Sequence, residues 1–386
     1  MLQTLEVTIT RLLSADDDLT DLHLAVGQPI RSRRCGTLSV VDDAIVDEAS
    51  LFSLLRGLVA LEGAAGAHAD ALRRALRLRE GGALDFSAEL GGHRLRGNLH
   101  LRTGGSLGIV LRRLRDTVPD LDALGLPLLL RRLVDRSRGL LLVTGPTGSG
   151  KSTTLAALVL HLVCSRALHV LTIEDPIEYR IDRMGSRGGG CPGGGGAIGH
   201  VSAREVGTDV PDYAGAVRAA MRQDPDVIVI GEIRDRPTMH AALSAAETGH
   251  LVLATLHTPN ASEAVERVLS FFAQDELTWA RSVFANVLVA VLSQALVRRR
   301  DEAAQALVCE LMVSTPAVRQ QILQGTTGQL RGIMAQGRRD GHVQMTAQLA
   351  DRVRRGEIAE EDARYVAHPA EEFAWLMQSA AGGQGA

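Results

Sequence analysis

Four short apolar runs recur between residues 139 and 256: 140–143 (LLLV), 170–173 (VLTI), 227–230 (VIVI) and 251–254 (LVLA). Helical stretches lie between them. A strand that alternates apolar and polar residues buries one face, whereas one that is apolar throughout buries two. Such runs, separated by helices, therefore predict a parallel sheet covered on both sides, an α/β fold. The residues that follow the runs are Thr144, Glu174, Gly231 and Thr255. Sheets of this kind bind ligands outside the carboxyl ends of their strands, so a site is expected there.

The rest of the chain divides around this core. Residues 1–118 read as a small α/β domain. Asp21-Leu22-His23-Leu24 and residues 93–101 alternate as half-buried strands, and residues 46–59 and 68–78 carry helical apolar spacing. Residues 119–127 read as a linker opening a core over 119–297. Residues 298–377 read as a C-terminal helical region, with Ser314-Thr315-Pro316 as a helix start. The small, Gly-rich residues 378–386 are expected to be a disordered tail. Residues 185–199 hold nine glycines. A flexible insert over 184–203 is expected, because this composition cannot bury a core.

Composition excludes several classes. The net charge of −3 and the 3% aromatic content give little for tracking phosphates or stacking bases, so no nucleic-acid partner is expected. Cys35, Cys164, Cys191 and Cys309 form no C-x-x-C pair, which predicts neither a zinc knuckle nor a disulfide framework, and a reduced, cytoplasmic setting fits. No basic, apolar leader is visible at the N-terminus. No stretch has the roughly 18–20 apolar residues needed to span a bilayer. The most apolar, residues 284–297, carries Asn286, Ser293 and Gln294. Membrane association is therefore expected to be peripheral, through partners. One count is unusual: 41 of the 42 basic residues are arginine, and the one lysine is Lys151. A lysine kept in such a background suits a place where a compact point charge works and a wide planar fork does not.

That lysine lies in Gly145-Pro146-Thr147-Gly148-Ser149-Gly150-Lys151-Ser152, which matches G-x-x-x-x-G-K-[ST]. An apolar run precedes it and a helical stretch, beginning with Ser152 and Thr153, follows, as a phosphate-binding loop requires. The glycines let main-chain N–H groups face the phosphates, and the helix N-terminus adds positive potential. Lys151 is expected on the β- and γ-phosphates and Ser152 on Mg²⁺. Glu174-Asp175-Pro176-Ile177-Glu178 sets three carboxylates at a strand end. One of them could activate an attacking water, although a charge run of this kind ordinarily marks a solvated face. The run 227–230 delivers Glu232 through Gly231 to its own end, where a carboxylate would hold Mg²⁺ or position the nucleophile. Finally, His250 and His257 bracket the run 251–254. His257 could sense the γ-phosphate, or both histidines could be satisfied structural residues.

Taken together, these segments resemble the Walker A, Asp box, Walker B and His box of the type II/type IV secretion ATPases, in that family's order. Asp21–Leu24, Arg204-Glu205-Val206-Gly207, the segment from Ala246 to His250 and that from Thr315 to Arg319 resemble its pilus-retraction branch. The resemblance implies a homo-hexamer of subunits with a PAS-like N-terminal domain and a RecA-like core. It also implies ATP and Mg²⁺ as ligands, with Glu174 activating water and Glu232 near Mg²⁺. Arg96 and Arg112 from the N-terminal domain would complete the site. Its partners would be an inner-membrane platform protein and the pilus machinery, with the ring docked at the cytoplasmic face of the membrane. The chain departs from the family in the glycine insert, in Ala203 where the family has Gln, and in Gln321 within its C-terminal motif.

Three other readings stand beside pilus retraction. A pilus-assembly or type II secretion ATPase is disfavoured, because such enzymes typically carry a further N-terminal domain and a tetracysteine element. A nucleotide-binding ring that hydrolyses weakly is disfavoured by the intact Lys151, Ser152, Glu174, Glu232 and His257. A nucleic-acid translocase is disfavoured by charge and composition.

Overall fold

The computed structural model describes residues 5–16, 19–34, 37–58, 69–77, 82–114, 117–183, 191, 198–301 and 305–381. The chain divides into two compact units, Met1–Asp116 and Thr117–Ala386.

The first unit contains α1 (Leu5–Ala15), β1 (Leu19–Ala25), β2 (Pro29–Arg34), β3 (Thr37–Ile45), α2 (Glu48–Leu58), α3 (Ala69–Arg77), β4 (Ala83–Leu90), β5 (His93–Leu101) and β6 (Leu107–Arg113). The strands form one antiparallel sheet in the order β3-β2-β1-β6-β5-β4. Alternation does what period-2 patterning dictates. Leu22, Leu24, Leu95, Leu99, Ile109 and Leu111 share one core with Ile9 and Leu13 of α1, Leu51 and Leu55 of α2, and Leu72 and Leu76 of α3.

The second unit contains α4 (Leu129–Val134), β7 (Gly139–Thr144), α5 (Lys151–Ser165), β8 (His169–Glu174), β9 (His200–Glu205), α6 (Tyr213–Ala220), β10 (Val227–Ile230), α7 (Arg236–Glu247) and β11 (Leu251–Leu256). It continues with α8 (Ala261–Ser270), α9 (Leu277–Val287), β12 (Leu288–Arg298), β13 (Gln305–Val313), α10 (Pro316–Gln324), α11 (Leu330–Gln336), α12 (Met345–Arg354), α13 (Glu360–Val366) and α14 (Ala370–Ala381). The sheet order is β13-β12-β7-β11-β10-β8-β9. Every pairing is parallel except that of the edge strand β13. The apolar runs are continuous because both faces of this sheet are covered. In β7, Leu140 and Leu142 join one core with α7, α8 and α9, while Leu141 and Val143 join another with α4 and α5.

Several expectations need correction. Gln305–Val313 lies in the region expected to be helical and is a strand. It pairs along nine residues with β12, which gives its polar members a ladder partner that helical spacing alone does not reveal. Helix α14 runs on to Ala381, four residues into the expected tail, and residues 382–386 lie outside the described residues. Residues 200–203, expected in the flexible insert, belong to β9, where Ala203 pairs with Thr172. Most of the glycine segment lies outside the described residues. In the linker region, Leu121 is buried in the core beneath α4 and α5 rather than spanning open solvent. The helix start at Thr315 is present, its side chain accepting from the Val318 N–H ahead of Pro316. Among the described residues, no helix is long and apolar enough to cross a membrane.

No disulfide was expected, yet Cys164, near the end of α5, is bonded to Cys191. Spacing could not show this pairing, since 27 residues separate the two. Closing a loop of that size removes chain entropy worth about 3–4 kcal/mol from the unfolded state. We expect a peptide digest made without reductant to contain the two cysteines as one cross-linked species. We also expect reduction to lower the unfolding free energy by up to that amount.

Candidate active site

Because β7, β8, β10 and β11 are parallel, their carboxyl ends reach one edge of the sheet together. At the end of β7 the chain turns through Gly145–Gly150 into α5. Gly145 has φ +143°, and a Cβ there would lie 2.2 Å from the Gln294 carbonyl oxygen, so only glycine fits. Gly150 caps α5 in the left-handed region at φ +88°. Pro146, Thr147 and Gly148 are exposed, whereas Ser149 and Lys151 are buried. Lys151 Nζ donates to the main-chain oxygens of Gly145 (2.8 Å) and Pro146 (2.9 Å), so the ammonium sits inside the curl of its own loop. Burial pushes its pKa below the usual lysine value, and the carboxylates of Glu232 and Glu178 oppose that fall. Thr153, in the first turn of α5, has its hydroxyl 2.9 Å from that of Tyr179.

The end of β10 carries Gly231 and Glu232. A Cβ at Gly231 would come within 3.3 Å of both the Glu174 Cα and the Tyr213 hydroxyl, which explains why glycine stands between the strand and its acid. Glu232 is held from two sides. Arg234 donates to one carboxylate oxygen at 2.7 Å, and His257 Nε2 lies 3.0 Å from the other. Burial alone would raise the pKa of Glu232, but Arg234 and His257 outweigh it and hold the group below its usual value. Glu232 is therefore ionised at neutral pH.

Glu174 ends β8, and Thr172 Oγ1 donates to its carboxylate at 2.8 Å. Beside it Glu205 accepts from the Ile177 N–H, tying the acidic turn to β9. Tyr213, at the start of α6, completes the acidic side. Burial raises its pKa far above the usual phenol value, and Asp175, Glu232 and Glu174 add to that rise. Tyr213 was not anticipated; it is the first residue after the cap Asp212, six residues beyond Gly207, and matches no motif of its own. The two histidines separate cleanly. His257 faces Glu232, whereas His250 is at the opposite end of β11 and bonds the Ala245 carbonyl.

Lys151, Glu174, Glu232 and His257 thus gather at one edge, with Ser152 in the first turn of α5. Arg96 and Arg112 lie in the first unit, directly opposite each other on β5 and β6. Like charges so placed repel, and Arg112 is relieved by donating to the buried Asp21 at 2.8 Å. Among the described residues, no three His, Cys, Asp or Glu side chains form a metal cage. Mg²⁺ in a phosphate site takes one or two protein oxygens, with phosphates and waters supplying the rest. A serine at the helix start and an ionised Glu232 are such a donor set.

Comparison with known proteins places this geometry. Residues 94–364 match the model of the family described as "Type II/IV secretion system protein". The chain belongs to the type II/IV secretion system protein family. It is 39% identical to the uncharacterized protein YggR of Escherichia coli, over 90% of this chain and 98% of that one. It is 35% identical to the type IV pilus retraction ATPase PilT of Pseudomonas aeruginosa, over 95% of this chain and 99% of PilT. The crystal structure of the pilus retraction motor PilT with bound ADP superposes with a TM-score of 0.79, at 31% identity, covering 97% and 99% of the two chains. As a member of the type II/IV secretion family, this chain is an ATPase with a nucleotide-binding P-loop core of PilT-like fold.

Proposed function

We propose that this ATPase is a pilus-retraction motor that works as a homo-hexamer at the inner face of the cytoplasmic membrane. It would be docked on a membrane platform protein of the pilus machinery. The observation that carries the reading is its alignment with PilT across nearly the whole of both chains. Among the described cysteines, Cys164 and Cys191 bond each other and Cys309 is free and buried, which supports this reading over an export ATPase with a tetracysteine element.

In this reading the N–H groups of residues 145–150 cradle the phosphates, and Lys151 leaves its loop carbonyls to meet the β- and γ-phosphates. Ser152 and Glu232 would hold Mg²⁺, which would neutralise charge on the phosphate oxygens. Glu174 takes the proton of the attacking water. His257 and Arg234 keep Glu232 ionised and aimed. Arg96 and Arg112 would stabilise charge on the transferred phosphoryl group, as the family resemblance implies.

Deleting the gene in the native cell and counting surface pili tests the direction of the motor. Retraction predicts abundant pili with twitching abolished. Bald cells would replace this reading with an assembly motor.

A further inference from the structure

The geometry points to Gln294 as a positioning residue for ATP hydrolysis, one that shapes the phosphate-binding loop from the neighbouring strand. Strands β12 and β7 run parallel with Ser293 opposite Thr144, so Gln294 stands beside the first residue of the loop. The hydroxyls of Ser293 and Thr144 are 2.7 Å apart and lock the two strands at that level. Gln294 then touches both ends of the loop. Its carbonyl oxygen occupies the space that a Cβ on Gly145 would need. Its side chain, 1% exposed, reaches past that glycine, and Nε2 donates to the Ser149 carbonyl at 3.1 Å.

That one bond sets more than one atom. A trans peptide places its C=O and the following N–H on opposite sides. Anchoring the Ser149 carbonyl towards Gln294 therefore turns the Gly150 N–H away from it. A second observation marks the spot as more than packing. Gln294 Oε1 and Ser149 Oγ are both buried with no hydrogen-bond partner among protein atoms. Buried polar groups are normally satisfied, and an apolar side chain of the same length would pack here without orphaning an oxygen. What the amide supplies is the donor to the Ser149 carbonyl. Tyr213 and Glu232 lie on the acidic side of the site, whereas Gln294 acts on the phosphate loop itself.

A residue that holds the cradle serves substrate and transition state alike, so its loss raises KM and leaves kcat. The test uses Gln294→Met and Gln294→Glu, both close in volume, with steady-state ATPase and ADP binding measured from pH 5.5 to 8.5. For Gln294→Met we expect KM for ATP and Kd for ADP to rise about tenfold, with kcat within about twofold, at every pH. Gln294→Glu should show the same loss at pH 8. It should regain affinity relative to the native chain as the pH falls, because a protonated carboxyl again donates to the Ser149 carbonyl. Burial raises the pKa of such a group into an accessible range. Because the pH arm follows Gln294→Glu against the native chain at each pH, it decides the question even if the methionine variant folds poorly. Nucleotide affinities within twofold of the native chain in both variants, or a pH-independent loss in Gln294→Glu, would overturn the assignment and leave Gln294 a packing residue.

Discussion

Replacing Lys151 with alanine will slow ATP turnover by at least about a hundredfold, and arginine will not rescue it. Removing one preorganised group that stabilises transition-state charge typically costs about 10²–10³ in rate. Lys151 is only 9% exposed and fills the curl of the loop through two carbonyl oxygens. A guanidinium is planar and wider, so it does not reproduce the compact point charge that the two carbonyl oxygens of the curl hold. The melting temperature of each variant, measured beside that of the native chain, separates a lost fold from lost chemistry. The check is phosphate release by purified native, Lys151→Ala and Lys151→Arg proteins. Equal rates in all three would place the chemistry elsewhere.

The second large effect is expected at Glu174. Glu174→Gln keeps the shape and can still accept from the Thr172 hydroxyl, but an amide cannot take a proton from water. We expect kcat to fall by roughly 10²–10⁴ while ADP affinity stays within about twofold. Single-turnover hydrolysis, measured beside nucleotide binding, separates the two. A variant that retains kcat would move water activation to another carboxylate of the edge, Glu178 or Glu232.

The parallel core was legible because burial on both faces writes continuous apolar runs, and the helical stretches between them point to parallel strands. The loop, its lysine and the acids after β8 and β10 were legible because each motif is contiguous. What failed was long-range. Strand β13 is a mostly apolar run that local sequence does not separate from a buried helix, and its ladder with β12 decides between them. Gln294 was visible as one polar residue spoiling an apolar stretch; its meaning needs β12 beside β7. The same holds for Arg96 facing Arg112 and for the pairing of Cys164 with Cys191. Each is a relation between residues far apart in the chain, which local pattern cannot carry.

The burial of Lys151 has a practical consequence. Since every other basic side chain is arginine, the protein offers an amine-directed reagent one side-chain target, and that target is folded into the nucleotide loop. Acylation of this amine is in effect a built-in occupancy gauge. The extent of labelling at one residue, read by mass, reports how often the loop opens and whether a nucleotide already fills it, with no tag or added label on the protein.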